Sequence, residues 1–414
     1  MAVVQDYDVI IVGGGMTGAS LALALADSSL SIALIDQEAL SPEPVAPSSM
    51  YTPRVSALTE ASINLFKNLG VWSFMTDQRT CPYSQMFVWD NEGTGAIEFD
   101  ADSVSKTSIG SIVENKVIRQ GILAGLKNTT VDLFERQTDL RFDLGIVSAR
   151  VTLSDGRVLN TQLMVAADGA ESRLRQLAAI PSSQNDYLHH AVVTTVQTEK
   201  YHQDTAWQVF RDTGPLAFLP LPSMGEKHYC SIVWSQLPCE ADKMMALGDD
   251  AFISALEKAF EKKLGRIEHV EPRFCFPLRQ RHANAYYRNN IVLVGDAAHT
   301  IHPLAGQGVN LGLMDVAVLT EELIKAVERG DNFAGQHILA RYQRRRKGHN
   351  LAMIMAMKGF QNLFAADHLA IRWLRNTGLK AVNKLPLLKE LIVRQALGTS
   401  GVLPLLAQAP TRFG

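Results

Sequence analysis

The stretch that decides the fold is Asp8-Val-Ile-Ile-Val-Gly-Gly-Gly-Met-Thr-Gly18, near the start of a chain of 414 residues. Residues 8–12 are rich in β-branched side chains and predict a buried strand, and residues 16–26 are rich in Ala and Leu and predict a helix. A second short strand is predicted at residues 31–35 and ends at Asp36. This order predicts a βαβ unit with a glycine-rich turn after its first strand.

Each glycine of the turn has its own physical task. Gly13 allows a tight turn, Gly15 lets the backbone approach a pyrophosphate, and Gly18 allows the helix to pack closely on the strand. The helix N-terminus favours a phosphate, and Asp36 can accept a hydrogen bond from a ribose hydroxyl. The alternative is a glycine-rich turn without a ligand. The strand, the helix and the acidic residue in register favour a dinucleotide site.

Composition and charge limit the class of protein. Hydrophobic residues make up 47% and charged residues 20%, so the chain is globular and long enough to bury a large core. Lys and Arg number 40 against 42 Asp and Glu, and a net charge of −2 gives no electrostatic argument for a nucleic acid partner. The four cysteines stand far apart and are predicted to be reduced and structural, without a metal site. Residues 1–7 lack Lys and Arg, and no run of 18 apolar residues occurs, so neither a signal peptide nor a transmembrane helix is predicted.

Two later motifs also follow predicted strands. Asp168-Gly169 follows a strand at 163–167, and Gly295-Asp296 follows a strand at 291–294. An Asp-Gly pair alone is most often a turn, but an acidic residue at a strand end can bind a chain of hydroxyls. Residues 302–312 then read His-Pro-Leu-Ala-Gly-Gln-Gly-Val-Asn-Leu-Gly and open a helix. That helix start would stabilise negative charge on a flat ring, although it can also be a helix start without a ligand.

The three motifs, in this order and spacing, resemble those of the class A flavoprotein aromatic hydroxylases. The resemblance implies FAD as cofactor and NAD(P)H as co-substrate. The cofactor-binding residues that it implies are Gly13, Gly15, Gly18, Asp36, Arg54, Asp168, Gly169, Gly295, Asp296, Gly308, Val309 and Asn310. It also implies a catalytic loop against the flavin ring, to which no base is assigned, formed by Pro303, Gly306, Gln307 and Gly308.

Residues 302–312, together with Gly70-Val71-Trp72 and Val113-Glu114-Asn115, resemble more narrowly the ubiquinone-biosynthesis hydroxylases. The likeness covers nearly the whole chain, and the most similar branch hydroxylates 2-polyprenylphenol. It implies that reduced flavin and O2 form a C4a-hydroperoxide, which delivers oxygen to the ring of a polyprenylphenol. Asp36 stands where many members have Glu, but a shorter carboxylate can still accept from a ribose hydroxyl.

The resemblance and the strand pattern together predict an α/β fold of the para-hydroxybenzoate hydroxylase type. A Rossmann-like FAD-binding domain (1–80, 105–180 and 285–365) is interleaved with an antiparallel-sheet substrate domain (81–104 and 181–284). A helical C-terminal region (366–414) follows. Strands are predicted at 192–196, 207–210, 216–221 and 229–234, and a helix at 57–69. An apolar pocket wall for the substrate is predicted from Phe218, Leu219, Leu221, Val88 and Trp234.

Several polar residues have predictions of their own. His189 and His190 are predicted to be a surface pair at a strand end, and His299 and His302 to pack or hydrogen-bond beside FAD. The run from Arg341 to Lys347 is predicted to be a solvated helix face, with a basic docking patch as the lesser alternative. Residues 368–414 hold seven Lys or Arg against Glu390 and indicate either a contact with a membrane surface or a biosynthetic complex, or a solvated basic face. A cytoplasmic location is expected, either free or peripheral to the inner membrane.

Other readings compete with the polyprenylphenol hydroxylase. A sister hydroxylase of the same pathway, acting at another ring position, would share the flavin machinery. A reductase of prenyl double bonds would not need the signature at 303–308. A flavin- or lipid-binding scaffold without activity predicts loss of Asp168, Asp296 or the glycines, all of which are present. A simple NAD dehydrogenase leaves Gly295-Asp296 unexplained.

Overall fold

The computed structural model describes residues 4–43, 50–91, 95–300, 308–365, 397–399 and 401–410. The strands are β1 (Val4–Val12), β2 (Ile32–Ile35), β3 (Val55–Thr59), β4 (Thr80–Tyr83), β5 (Gln85–Asp90), β6 (Ala96–Asp100), β7 (Gly110–Glu114), β8 (Asp132–Phe134), β9 (Arg141–Leu144), β10 (Ala149–Thr152), β11 (Val158–Ala166), β12 (Ser182–Thr198), β13 (Thr205–Phe210), β14 (Leu216–Met224), β15 (Lys227–Gln236), β16 (Ile267–Val270), β17 (Phe274–Ala283), β18 (Tyr287–Arg288), β19 (Ile291–Leu293) and β20 (His299–Thr300). The helices are α1 (Met16–Leu25), α2 (Glu60–Asn68), α3 (Trp72–Gln78), α4 (Asn115–Leu126), α5 (Arg173–Leu177), α6 (Pro238–Ala246), α7 (Asp249–Ala259), α8 (Gly308–Glu328) and α9 (Gln336–Ala365).

The first sheet has a parallel centre in the order β19-β11-β1-β2-β8. Strands β18, β10 and β9 extend it in antiparallel fashion. β1 ends in a continuous apolar run because α1, which packs against α4 and α8, covers the sheet. The βαβ unit predicted from residues 8–36 is therefore confirmed. The late strand β19 joins this sheet beside β11.

The second sheet is built mainly from the middle of the chain, in the order β20-β17-β12-β15-β14-β13-β5-β6. Its pairs are antiparallel except β13 with β5, and β16 adds to β12. One face packs against α7, and the other packs against the third sheet, β3-β7-β4. The four predicted strands are present, and β12 is 17 residues long because it pairs along its length with β15 and β17.

The helix predicted at 57–69 is wrong at its start. Residues 55–59 form β3, which pairs with β7, and the helix α2 begins only at Glu60. Thr59 caps α2, because its hydroxyl accepts a hydrogen bond from the Ser62 amide at 3.4 Å. The five residues of β3 are too short a run for their spacing to separate a buried strand from the first turn of a helix.

The prediction of a solvated face for residues 341–347 is wrong in part, because Arg344 is exposed but Arg346 is buried and Arg341 and Arg345 are half-buried. Arg346 is buried against Asp315 of α8, and Arg341 and Arg345 form ion pairs with Glu322 at 3.0 and 2.9 Å. These arginines hold α9 against α8, because the acidic partners lie on the neighbouring helix. The prediction failed because the sequence pattern of α9 gives no information on its partners.

The strands of the first sheet come from the three stretches predicted for the FAD-binding domain, and the domain boundaries themselves stay a prediction. Most of 368–414 lies outside the described residues, and the predicted contact through this stretch stays a prediction. Residues 397–399 and 401–410 pack on α2 and α8, with Leu397 and Ala407 buried. Within the described chain, every helix is too short or too polar to cross a membrane.

Candidate active site

The glycine-rich turn lies between β1 and α1, against the end of β11. Gly13 has a φ of +109°, and a Cβ built on it would lie 2.2 Å from the Ala167 carbonyl oxygen. A Cβ on Gly18 would lie 1.9 Å from the Gly13 carbonyl oxygen, so α1 can approach the strand only with glycine there. Around Gly15, in contrast, no described atom lies within 4 Å of such a Cβ. The turn is therefore tight on its inner side and open at the helix N-terminus, as a pyrophosphate site requires.

Asp36 lies beside this turn, at the end of β2. Its carboxylate accepts hydrogen bonds from the amides of Gly14 and Glu38, the latter at 2.6 Å. Each carboxylate oxygen can accept more than one hydrogen bond, so Asp36 keeps capacity for a ribose hydroxyl. Its place next to the glycines agrees with the role implied for it.

Arg119 of α4 is a residue at this site that sequence reasoning missed. Its guanidinium donates to the Gly14 carbonyl at 3.3 Å and to the Ala39 carbonyl at 2.8 Å, and it lies 3.5 Å from the Glu38 carboxylate. It therefore ties the glycine-rich turn to the segment that follows β2. The available signal was a single arginine in the middle of an otherwise largely apolar helix, which is weak.

The Asp168-Gly169 motif lies just after β11. Gly169 has a φ of +83°, and Asp168 accepts a hydrogen bond from the Leu174 amide of α5 at 3.1 Å. The guanidinium of Arg175 donates to the carbonyls of Ala170 and Ala297 at 2.9 and 2.8 Å. The second motif is therefore fastened directly to the third, although Arg175 and Ala297 are 122 residues apart in sequence.

Arg54 and Asp296 come together at the junction of the first and second sheets. Protein packed around Asp296 raises its pKa by desolvation, and the charges of His299 and Arg54 oppose this rise. Asp296 is nevertheless an exposed residue, so a ligand can reach it. The Arg54 guanidinium lies 5.6 Å from the ring centre of Phe276 on β17. The residues implied for the flavin thus border the second sheet.

The start of α8 is the part of the implied flavin loop that the structure describes. α8 begins at Gly308, followed by Val309 and Asn310; Pro303, Gly306, Gln307 and His302 lie outside the described residues. The side chain of Asn310 makes both contacts: its Nδ2 donates to the Ala57 carbonyl at 2.8 Å, and its Oδ1 accepts from the Thr59 backbone amide at 3.0 Å. Asn310 therefore anchors this helix start to β3. Contact of these residues with the flavin ring stays a prediction.

The histidine predictions have mixed outcomes. His189 and His190 lie inside β12, beside a register irregularity, so the predicted strand-end position is wrong, although both residues are only half-buried. His299 is buried, and its Nε2 lies 2.5 Å from Asp315 Oδ2, which confirms a hydrogen-bonding role. A bulge within a long strand has no clear sequence signal, which explains the error at His189.

The five residues predicted as one pocket wall do not share one face of the second sheet, so the prediction of a single wall is wrong. Leu219 and Leu221 lie on the face of the second sheet that packs toward the third sheet. Phe218 and Trp234 lie on the opposite face, where Phe218 stacks on Phe260 with ring centres 3.6 Å apart. Successive side chains of a strand alternate between the two faces, so Phe218 cannot share a wall with Leu219.

Cys81, His202 and Asp204 are close enough to suggest a metal site, with ligand atoms within 4.8 Å of one another. Both ring nitrogens of His202 are already engaged, with the Leu221 carbonyl at 2.9 Å and the Asp204 amide at 3.1 Å. Burial raises the pKa of the Cys81 thiol to about 12, so it stays protonated at neutral pH. The arrangement does not favour a cation.

Together these residues fit FAD. The open helix N-terminus at Gly15 suits a pyrophosphate, Asp36 suits a ribose, and the exposed carboxylate of Asp296 suits the polar chain between pyrophosphate and ring. Their positions follow one edge of the first sheet, from the end of β2 to the end of β19. Such an edge, at the carboxyl ends of parallel strands, is where nucleotides bind in doubly wound folds.

Comparison with known proteins agrees with this geometry. Residues 6–357 match the family model described as an FAD binding domain. The chain is 35% identical over 403 residues to the 3-demethoxyubiquinol 3-hydroxylase of Escherichia coli (strain K12), covering 95% of this chain and 99% of that protein. It is 37% identical over 395 residues to the ubiquinone hydroxylase UbiL of Rhodospirillum rubrum, covering 95% of this chain and 90% of that one.

A solved structure has the same fold. The p-nitrophenol 4-monooxygenase PnpA of Pseudomonas putida DLL-E4 superimposes with a TM-score of 0.75, covering 97% of this chain and 100% of that one, at 17% identity. The fold and the site thus define an FAD-dependent aromatic hydroxylase, with NAD(P)H as its co-substrate. Within that class, the chain belongs to the ubiquinone-biosynthesis hydroxylases, which hydroxylate a ring in ubiquinone synthesis.

Proposed function

We propose that this enzyme uses NAD(P)H and O2 to hydroxylate the aromatic ring of a polyprenylphenol. The observation that carries the proposal is an accessible aromatic surface beside the implied flavin residues. Phe276 is 37% exposed and Phe274 is 41% exposed, both on β17. Phe276 lies under the guanidinium of Arg54, at the junction of the two large sheets. An apolar substrate with a long tail needs such a surface next to the cofactor.

The surface continues across the second sheet. Phe276 pairs with Ala191 of β12, and Phe274 pairs with Val193, so these four side chains share one face. Val233 of β15 packs beside Val193 and is only half-buried, although strands flank it on both sides. An accessible valine in the middle of a sheet supports a cavity in front of this face.

Each implied residue has a definable task. The amides at the start of α1 would bind the pyrophosphate of FAD, and the carboxylate of Asp36 would accept from its ribose. When bound, FAD takes a hydride from NAD(P)H and activates O2 for insertion of one oxygen atom into an electron-rich ring. Arg54 would contribute positive charge beside the cofactor, and the apolar face around Phe276 would orient the ring of the substrate and exclude water.

Product analysis tests the proposal. Purified enzyme with FAD, NADH or NADPH, and a short-chain 2-prenylphenol should yield a hydroxylated ring, detected by mass spectrometry. In 18O2 the new oxygen should carry the label, because one atom of O2 enters the product. Oxidation of NAD(P)H without any hydroxylated prenylphenol would contradict the proposal.

A substitution at Phe276 tests the surface itself. Phe276→Asp should raise KM for a prenylphenol at least tenfold, because the carboxylate would have to be desolvated against an apolar substrate. Leu177→Asp is the control, since Leu177 is 50% exposed and lies on α5. Steady-state kinetics with both variants measures the difference. Equal KM values would show that the substrate does not use Phe276.

A second substrate has a specific observation in its favour. The Escherichia coli relative, similar along 99% of its length, is named for hydroxylation of 3-demethoxyubiquinol. A demethoxyubiquinol analogue should therefore be offered beside the 2-prenylphenol, and the position of the new hydroxyl assigned by NMR. If the enzyme turns over only the demethoxyubiquinol analogue, its substrate is a demethoxyubiquinol and not a polyprenylphenol.

A further inference from the structure

A buried polar cluster joins α8, α9 and the turn after β19. At its centre lies Asp315 of α8, whose side chain is fully buried. Its Oδ2 accepts a hydrogen bond from the Gly295 amide at 3.0 Å and lies 2.5 Å from Nε2 of His299. Its Oδ1 accepts from Nε of Arg346 at 2.7 Å and from Nδ2 of Asn350 at 3.3 Å. One carboxylate therefore ties together three separate parts of the chain.

The cluster keeps Asp315 ionised. Burial alone would raise the pKa of this carboxyl, but the charges and hydrogen bonds of His299 and Arg346 hold it at about 2. Arg346 is itself satisfied, because it also donates to the Leu311 carbonyl at 3.1 Å and to Asn350 Oδ1 at 2.7 Å. A buried charge is tolerated only when it is paired and hydrogen-bonded in this way.

The same carboxylate holds both ends of the turn from 295 to 299. Gly295 has a φ of +58°, and a Cβ on it would lie 2.8 Å from Oγ1 of Thr17. A Cβ on Gly312 of α8 would lie 2.7 Å from the same oxygen. α1, which carries Thr17 and begins at the dinucleotide turn, is thus packed closely on this spot. A displacement of the 295–299 turn would therefore also press on α1.

We propose that Asp315 is a positioning residue for FAD: it fixes the turn that carries Asp296, so that this carboxylate faces the cofactor. The inference rests on the proposed role of Asp296 in holding FAD. An aspartate is required because a carboxylate only accepts hydrogen bonds, and all four partners offer it an N–H group. Asparagine would turn a donor toward one of these donors.

A matched pair of variants tests the proposal. Glu322 lies seven residues, about two turns, after Asp315 on α8, and its ion-pair partners in the described chain, Arg341 and Arg345, both lie on α9 rather than in the 295–299 turn. FAD dissociation constants are measured by flavin fluorescence on the full-length protein, with folding checked by circular dichroism. We expect Asp315→Asn to weaken FAD binding at least tenfold, and Glu322→Gln to change it less than threefold.

Two results would overturn the positioning role. One is a folded Asp315→Asn protein that binds FAD within threefold of the unsubstituted protein. The other is an equal loss of FAD affinity in Glu322→Gln, because the effect would then come from any weakened contact between α8 and α9. If Asp315→Asn does not fold, Asp315→Asn/Arg346→Met removes both charges, and FAD affinity unchanged in that folded protein would also overturn the role.

The variant Asp296→Ala distinguishes a failure of the positioning role of Asp315 from a failure of the proposed role of Asp296 in holding FAD. If Asp296→Ala binds FAD at least tenfold more weakly and Asp315→Asn does the same, both roles are supported. If only Asp296→Ala weakens binding, the positioning role of Asp315 is overturned and the role of Asp296 stands. If Asp296→Ala binds FAD normally, both fail. None of these results depends on which phenol the enzyme hydroxylates.

Discussion

Gly15 and Gly18 stand three residues apart, yet a methyl group would meet different surroundings at each. At Gly18 it would lie 1.9 Å from a backbone oxygen and 2.9 Å from the Ala167 side chain. At Gly15 it would meet open space, and the φ of −69° is one that alanine adopts without strain. Gly18 is therefore needed for the packing of the helix, whereas Gly15 keeps space open for the ligand.

We expect Gly18→Ala to lower the free energy of unfolding by about 1–3 kcal/mol, as overpacking commonly does, and to weaken FAD binding as well. Gly15→Ala should leave the unfolding free energy of the FAD-free protein within about 0.5 kcal/mol, as for a substitution that meets no neighbour, yet weaken FAD binding at least tenfold. Urea denaturation and flavin fluorescence measure the two quantities. Equal destabilisation by both substitutions would contradict the distinction.

His282 gives the molecule a sensitivity to acid. Burial, with the nearby charges of His299 and Lys347, lowers the pKa of His282 to about 4, against the favourable charge of Asp315. Between pH 6.5 and 4 the unfolded chain takes up a proton at this site and the folded protein does not. Stability therefore falls as the pH falls through this range, by up to about 3 kcal/mol at 1.36 kcal/mol per pKa unit.

His282→Gln should remove most of this dependence, because glutamine does not titrate. The measurement is the unfolding free energy by urea at pH 7 and at pH 4.5, compared between the two proteins. His269→Gln, which removes an exposed histidine, is the control and should keep the difference between the two pH values. An unchanged pH difference in His282→Gln would assign the acid sensitivity to other groups.

Individual site residues differed in how far the sequence could predict them. Gly13, Gly18 and Asp36 act through local geometry within one βαβ unit, which a sequence motif records directly. Arg346 was placed on a solvated face, but it is buried against a carboxylate 31 residues earlier in the chain. Its environment depends on how two helices pack, and charge periodicity within one helix contains no information on that packing.

At the scale of elements, a buried ion pair fixes the segment that leads into Arg54. Arg79, which follows α3, lies 2.9 Å from Glu114 at the end of β7, and both are almost fully buried. The same carboxylate accepts hydrogen bonds from the amide and hydroxyl of Thr52 at 2.6 and 2.9 Å. The Arg79 guanidinium also lies 4.6 Å from the ring centre of Tyr51.

We expect Glu114→Gln to lower the free energy of unfolding by about 3–5 kcal/mol, because it leaves the Arg79 charge buried without its partner. Lys243→Met is the control, since the exposed pair of Lys243 and Glu240 should contribute little to stability. Chemical denaturation of both variants provides the comparison. A loss below 1 kcal/mol in Glu114→Gln would mean that the segment is held by other contacts.

The error at β3, whose last three residues were predicted as the start of a helix, has a physical reason. Its five residues pair with β7, 50 or more positions later, and the helix signal of α2 begins directly after its last residue. In contrast, β5 and β6 pair with each other within residues 85–100, so both strands of this pair lie in one short stretch of sequence. Local pairing leaves a local pattern, whereas distant pairing leaves only an apolar run.

At the scale of the whole molecule, the described C-terminal residues return to the first part of the chain. Leu397 and Ala407 are buried, and Asn68 of α2 donates to the carbonyls of Leu406 and Gln408 at 2.9 and 3.0 Å. These residues cover α2 and the helix that follows the implied flavin loop. Leu397 and Ala407 therefore belong to the structural core.

Deletion of residues 397–414 should lower the unfolding free energy by at least about 2 kcal/mol, because it exposes the surface that Leu397 and Ala407 now cover. Deletion of 411–414 alone is the control and should have little effect, because it keeps both residues. Thermal and urea denaturation of the two truncated proteins measure the difference. Equal stabilities would show that the packing of this segment contributes nothing.

The interleaved course of the chain also bears on its synthesis. β1 pairs with β11, with Val9 beside Leu163, and β11 pairs in turn with β19, with Met164 beside Ile291. At about 5–20 residues per second a ribosome needs roughly 15–60 s between making β1 and making β19. During that time the nascent chain exposes an apolar strand edge whose final neighbours do not yet exist. We therefore expect newly made chains to depend on chaperones that shield this edge.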